Sequence, residues 1–430
     1  MDVTHRDILA VINEALIELK AKDFLALKQV SNKTIHNAGI FQDSDSISIA
    51  VILYSLSKLA DRNPEPAYIH KTIALLESCR HLLEISDLTG FRDELHSLFK
   101  LISSFDKQLK LYLQEVLKKA RISKGTKLYD HGISIAKAAE ILDISQWDLM
   151  SYVGETQISD HFIGKVRVGK RLKDLKEFFK NEKIALTINS KKEKIPQSID
   201  KKKLFFDSGP LISLTTNGLE GILEELHKDF DGDLYITPAV YSEVVERPLR
   251  SKKFRFDAIK LKKLVERGVL KIYTHPRLRE FADSLIELAN GVFFIKDQNM
   301  NIIHYAEMEV LAAASMERNH FVVVDERTTR ELIETPKRLQ EILHRKFHSP
   351  VIEDQDTLKK FKSTVGRIKI VRSIELATLA YEKGYLNKYL SESITGVKLL
   401  ESVLWGIKLH GCSVSEMEIM KIINDEKKTR

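Results

Sequence analysis

From Leu204 onward the chain repeats one pattern, a short apolar or β-branched run followed by a helix-length amphipathic stretch. The runs are KLFFD, DLYIT, LKIYTH, HFVVVD and RIKIVRS. Strands that alternate with helices imply βαβ crossovers, and these require a parallel sheet flanked by helices. In the first run Leu204, Phe205 and Phe206 lead straight into Asp207, and Ser208-Gly209-Pro210 turns the chain into a second apolar stretch. A continuous apolar run bounded by a turn reads as a strand buried on both faces. Asp207 then stands at the strand's carboxyl end, where open α/β sheets place their ligands. A helix-capping aspartate is the plainer reading of the same residue.

Helices are expected at 219–230, 238–246, 254–267, 276–289, 302–318, 374–383, 396–410 and 415–424. Residues from about 336 to 363 fit no compact element and read as an insertion.

The N-terminal part has a different period. Residues 1–120 read as an all-helical bundle, with Ile8, Val11, Ile12, Ala15, Leu16 and Leu19 at helical spacing and Phe24, Leu25, Leu27 and Val30 opening a second stripe. Residues 121–160 read as a helix-turn-helix. Ser134 precedes a first helix with a small-residue face (Ala136, Ala138, Ala139), Asp143-Ile144-Ser145 turns, and Gln146–Val153 forms the second helix. In a DNA reader that helix would offer Gln146, Trp147 and Ser151 to the groove, although Trp147 and Asp148 suit a protein contact equally well.

Charge separates a third segment, 161–202, read as a basic stretch and linker. The whole chain carries a net +7, whereas 165–203 alone holds 14 Lys/Arg against 5 Asp/Glu, or +9, so the remainder sums to −2. Basicity concentrated in this way points to a polyanion-binding stripe, with Lys191, Lys192, Lys194, Lys201, Lys202 and Lys203 the candidate nucleic-acid contacts beside Gln146. A solvated lysine-rich linker explains the same run. No apolar run reaches membrane-spanning length, the N-terminus lacks a signal-peptide layout, and Cys79 and Cys412 are isolated. The expectation is a cytoplasmic protein with no membrane partner.

Four acids carry the candidate chemistry. Asp207 ends the first strand and Asp325 the strand FVVVD, while Glu243 and Glu307 lie on helices. Thr237-Pro238 supplies the cap that starts the helix of Glu243. Carboxylates among apolar neighbours are costly unless they are paired or bound to a cation. An oxygen-only set suits Mg²⁺ or Mn²⁺, which can clamp the attacking and leaving oxygens of a phosphoryl displacement. Each acid also has a plain explanation as a solvated or capping charge, and Glu309 competes with Glu307 for the inward position.

DSGPLISL, TPAVYSEVV, AEMEVLAAA and VVVDERTTR together resemble the four acidic motifs of PIN-domain nucleases. IKIVRSIELATLAYEKGYL and the tail after it resemble the C-terminal strand and helices of the prokaryotic toxin subgroup. Gly132, Ser134, Ala138, Ala139, Glu140, Ser145 and Trp147 resemble the helix-turn-helix antitoxins that partner those toxins. The resemblance implies a PIN-like α/β domain over 203–425, behind an antitoxin-like helix-turn-helix and the all-α region. It implies an Mg²⁺- or Mn²⁺-dependent endoribonuclease that cuts RNA by metal-activated water, leaving 5′-phosphate and 3′-hydroxyl ends. Asp207, Glu243, Glu307 and Asp325 would be the catalytic and metal-binding residues, with Ser208, Glu246, Glu309 and Arg327 auxiliary.

The chain departs from the subgroup in two motifs. Tyr305-Ala306-Glu307-Met308-Glu309 stands where gly-glu-x-glu is usual, and Asp325-Glu326-Arg327 where asp-asp-arg is usual; both keep an acid at each expected position. In separate toxin–antitoxin pairs the antitoxin blocks the nuclease site. RNA is the expected substrate, with DNA through the helix-turn-helix and a homodimer as further partners. The alternatives are a non-catalytic nucleic-acid-binding regulator and a transcriptional autoregulator.

Overall fold

A computed structural model describes residues 3–41, 44–59, 64–104, 109–156, 166–180, 201–296, 298–317, 321–366 and 368–429. Its chain contacts divide it into two units. The first comprises 1–149, 295–302 and 341–351, and the second comprises 150–294, 303–340 and 352–430.

The first unit is helical over Val3–Ala21, Phe24–Phe41, Ser44–Leu59, Pro66–Glu84, Leu88–Ser104 and Leu109–Asp130. The stripe from Ile8 to Leu19 is buried, as its spacing requires, together with Leu27 and Val30. Leu25 instead lies on the outer face, 71% exposed. Ser134 caps Ile135–Ile141 by accepting a hydrogen bond from Lys137 N at 3.3 Å, and Asp143 takes a left-handed φ of 49° in the turn before Gln146–Gly154. The helix–turn–helix order is therefore present. Of its expected groove residues Trp147 is interior, 2% exposed, whereas Gln146 and Ser151 are half-buried; Asp148 pairs with Lys118 at 2.8 Å.

The insertion expected at 336–363 is regular structure, made of Pro336–Phe347, the strand Val351–Glu353 and Gln355–Val365. Leu339, Ile342, Leu343 and Phe347 are buried at helical spacing, and this period was present in the sequence. Within the first unit Phe347 meets the His131 ring edge-on at 5.3 Å, and Lys346 pairs with Asp130.

The second unit is built on a parallel sheet. Its strands are β1 (Lys202–Phe206), β2 (Gly232–Ile236), β3 (Leu270–Ile272), β6 (Phe321–Val323) and β8 (Lys369–Val371). Phe293–Ile295 (β4), Gln298–Asn299 (β5) and Val351–Glu353 (β7) form a separate small sheet. The order of the main sheet is β3-β2-β1-β6-β8, so every expected strand run is used. β1 pairs in parallel with β2 on one side and β6 on the other, and Leu204, Phe205 and Phe206 are fully buried. From β1 the chain winds outward to β2 and β3, then crosses to β6 and β8 on the other side. The carboxyl ends of β1 and β6 therefore flank the switch point, where a crevice forms in such sheets. Among the described residues no helix is long and apolar enough to cross a membrane.

One buried cation in the first unit has a measurable cost. Lys124 is 0% exposed; its Nζ donates to Asn32 Oδ1 at 2.9 Å and lies 5.0 Å from the Tyr54 ring centre. Burial, aided by Lys127 and Lys28, pushes its ammonium down to about 7. The unfolded side chain titrates near ~10.4, so between these values the unfolded chain binds more protons and stability rises with pH. Lys124→Met should therefore stabilise the protein by roughly 2–4 kcal/mol at pH 6.5, with the gain fading toward pH 10. Urea melts at both pH values check this; a gain that ignores pH would show that the buried charge is not its source.

Candidate functional site

Asp207 follows β1 directly, and its backbone N–H donates to Val323 O at 3.0 Å, which ties it to β6. It occupies the cap position of the helix Ser208–Thr216, yet its side chain makes no capping bond to that helix. Its Oδ1 is buried without a hydrogen-bond partner among the described residues, and the whole residue is 2% exposed. Burial pushes the carboxyl up to about 7, and the charges of Glu243, Glu326 and Asp325 add to this against a bond from the Ser208 backbone. Capping is thus not what this carboxylate does. It is a buried acid in a field of other acids.

Glu243 reaches the site from a π-helical turn, Ser242–Glu246. Pro248 just beyond has no N–H to offer the preceding turn, and π turns interrupt helices frequently at functional sites. Glu243 Oε1 lies 3.1 Å from His304 Nδ1. That nitrogen is also 3.3 Å from Ala306 N. Protonated, it donates to Glu243; unprotonated, it accepts from the first turn of the helix Tyr305–Ser315.

Asp325 is fully engaged. Oδ1 accepts from Ser373 N at 2.8 Å and Cys412 Sγ at 3.3 Å, and Oδ2 accepts from Ser373 Oγ at 2.6 Å. Burial raises its proton affinity, and these bonds together with Arg330 offset part of the rise. Glu307 is engaged as well, its Oε2 accepting from Thr329 Oγ1 at 2.7 Å and from His304 N at 3.3 Å. Glu309 takes another direction, accepting from Ala239 N at 2.8 Å.

Of the auxiliary residues, Ser208 is buried in the first turn after Asp207, while Glu246 is exposed and stands apart. Arg327 is 1% exposed, and Arg330 gives Nε to Glu326 O and Nη2 to Ser413 O, so both arginines are interior groups. Lys202 donates to the carbonyls of Phe178 and Lys180, and Lys203 pairs with Glu317 at 2.6 Å, leaving Lys201 the exposed member of the three. Gln146 is half-buried. Lys191, Lys192, Lys194 and the rest of the linker at 181–200 lie outside the described residues.

The structure therefore gathers Asp207, Glu243 and Asp325 into one electrostatic neighbourhood and adds Glu326. It links Glu307 to that neighbourhood through His304. Sequence reasoning gave no role to His304, Thr329, Ser373 or Cys412; only Glu326 was signalled, as an extra acid beside Asp325. Among the described residues no three His, Cys, Asp or Glu groups assemble as ready metal ligands. The donor set still fits a hard cation held by few protein atoms. Mg²⁺ commonly keeps several waters and takes one or two carboxylates. Asp207, with its orphaned oxygen, and Glu243 are the two that could serve, while Asp325 and Glu307 would act through water.

Gly209 lies beside both aspartates, and a side-chain carbon there would make ordinary van der Waals contacts. A Cβ there would stand 3.6 Å from Asp325 Cβ, 3.7 Å from Asp207 Oδ2 and 3.9 Å from Met150 Cε. Met150 also packs against Gly411, whose φ of +100° sets the turn before Cys412.

Because Asp207 binds its proton more tightly folded than unfolded, wild-type stability should fall as pH rises from about 4 to about 7. Asp207→Asn removes the opposed charge. It is expected to stabilise the chelator-treated protein by on the order of 2 kcal/mol at pH 8 and to have little effect near pH 4. Thermal melts at the two pH values read this directly; a loss of stability at pH 8 would mean that the carboxylate is satisfied within the fold.

Comparison with protein-family models, with curated proteins and with solved structures returns no significant match to this chain.

Proposed function

We propose that the C-terminal half is a PIN-type endoribonuclease dependent on Mg²⁺ or Mn²⁺. The observation that carries this reading is Asp207, a buried carboxyl at the switch point of a parallel sheet, with an unpartnered oxygen and three acids raising its demand for a positive charge. A proton meets that demand at low pH; a divalent cation meets it at neutral pH. When bound, the ion supplies polarisation of the scissile phosphate and of the attacking water.

The remaining work falls to the chain's own groups. Asp207 and Glu243 would hold the ion, with Glu243 set by His304 Nδ1, 3.1 Å from its Oε1. Asp325, fixed by Ser373 and Cys412, and Glu307, fixed by Thr329, would accept hydrogen bonds from water and orient it. Water attacks phosphorus and gives up a proton to solvent, the bond to the 3′-oxygen breaks, and that oxygen takes up a proton to leave as the 3′-hydroxyl while the phosphate stays on the 5′ side. Met150, on the second helix of the helix-turn-helix, supports a regulatory role for that motif, since its Cε would be 3.9 Å from a Cβ placed at Gly209, beside the two aspartates. The cytoplasm of a prokaryote is the setting that this reading carries.

Incubating the full chain with mixed RNA in Mn²⁺ should give 5′-phosphate fragments, abolished by chelator and slowed by about 100-fold or more in Asp207→Asn and Glu243→Gln. Equal cutting by Asp207→Asn, or no cutting by wild type, would sink the assignment. Met150→Ala, which opens space beside Gly209, is expected to raise the cleavage rate severalfold with an unchanged metal requirement. An unchanged rate in that variant would make the helix a scaffold and not a restraint.

A further inference from the structure

A cleft of about 640 Å³ opens at the carboxyl ends of β2 and β3, a size usual for small-molecule sites. Pro238, at the first turn after β2, forms one wall, and His275 and Arg279, after β3, form another. Tyr305 and Glu309, on the helix Tyr305–Ser315, close the third side, with Asp283 at the rim. The site of Asp207 and Glu243 uses the same two elements. Ala239, which donates to Glu309, lies on the helix that continues into Glu243, and Tyr305 adjoins His304.

The chemistry of this cleft is specific. Glu309 is among the residues that line the cleft and is 5% exposed in all, so only a small part of its side chain is within reach of a ligand. One of its oxygens, Oε2, accepts from Ala239 N at 2.8 Å. A carboxylate has about four acceptor positions, which leaves a pair for a ligand with adjacent N–H donors. Among the bases only guanine presents two such donors side by side, N1–H and N2–H. Adenine and uracil set acceptors beside their single donor group, which the carboxylate repels. Tyr305 and His275 offer rings of the kind on which unstacked RNA bases lie. Arg279 supplies the positive charge, lining the same cleft as Tyr305, Glu309 and Asp283.

We infer that this cleft binds a guanine nucleotide, with the base edge on Glu309, the ring against Tyr305 and His275, and the phosphate toward Arg279. Its role as a subsite that selects guanosine beside the cut bond rests on the ribonuclease reading; binding of the nucleotide does not.

Calorimetric titration of the full chain, in chelator, with guanosine and adenosine monophosphates tests the binding. The guanosine nucleotide should bind about tenfold more tightly, the discrimination of one good bidentate pair. Glu309→Gln keeps an acceptor for Ala239 and should bring the two affinities within about threefold of each other. Arg279→Ala, on an exposed helix face, should weaken both nucleotides alike. Equal affinities in wild type, selectivity that survives Glu309→Gln, or no saturable binding of either nucleotide would each overturn the inference. Mapping the RNA ends separates the two readings. Cutting without regard to guanosine removes the subsite role, whereas selective binding with no cutting removes the ribonuclease and leaves a guanine-nucleotide site.

Discussion

A parallel sheet must be covered on both faces, and its central strand has no choice about where its last residue goes. β1 is hydrogen-bonded on both sides and apolar along its buried length, so Asp207 is carried into the interior at the one edge where the winding reverses. An ionised carboxyl in that position loses its water and meets the charges of Glu243, Glu326 and Asp325. Desolvation and like charge act in the same direction, and only a proton or a cation relieves them. The rest of the second unit can be understood as the means by which the fold tolerates this residue.

The loops beside Asp325 are held by buried charge of the opposite kind. Arg372 donates from Nη2 to Glu375 Oε1 at 2.5 Å and to Glu418 Oε1 at 3.0 Å, and from Nη1 to Ser413 O at 3.1 Å. Arg330 reaches the same Ser413 carbonyl at 2.9 Å. Burial pushes the Glu418 carboxyl up, but the charge and hydrogen bonds of Arg372 outweigh it and hold the group down at about 2. Such a network adds little net stability relative to a well-packed apolar core, and breaking it by removing one partner is expensive. Its visible consequence is positional. It fixes Ser413 next to Cys412, whose thiol bonds to Asp325, and it fixes Ser373, which gives Asp325 two hydrogen bonds. Asp325 is therefore satisfied where Asp207 is not, although both follow adjacent strands.

The strand runs were legible because each is short, apolar and bounded by turn or helix signals, and all five became the main sheet. Helix starts such as Thr237-Pro238 were legible for the same local reason, since a cap and a first-position proline act within one turn. Two kinds of feature were not. Residues 336–363 looked structureless because their helices are separated by a strand of only three residues, Val351–Glu353, whose pairing is set by distant β4. The partners of the acids were hidden for a different reason. Thr329, Ser373 and Cys412 are ordinary residues until the fold delivers them, and no spacing in the sequence reports a hydrogen bond made across 48 or 87 positions. Trp147 shows the opposite error, in which a residue assigned to a surface by motif is needed in the interior.

The choice between Glu307 and Glu309 becomes a question of helix geometry. Residues two apart on an α-helix point about 200° apart, so one helix cannot aim both at a single site. The helix Tyr305–Ser315 is buried from Ala306 to Ala314, so each glutamate must find donors on its own side. Glu307 finds Thr329 and the cap of its own helix, beside His304 and Glu243. Glu309 finds Ala239 and faces the cleft at the ends of β2 and β3. The helix is thus a wall with an acid on each side, and the two acids need not share a task. One side gathers Glu307 with Thr329, His304 and Glu243; the other brings Glu309 to a cleft that Asp283 and Arg279 also line.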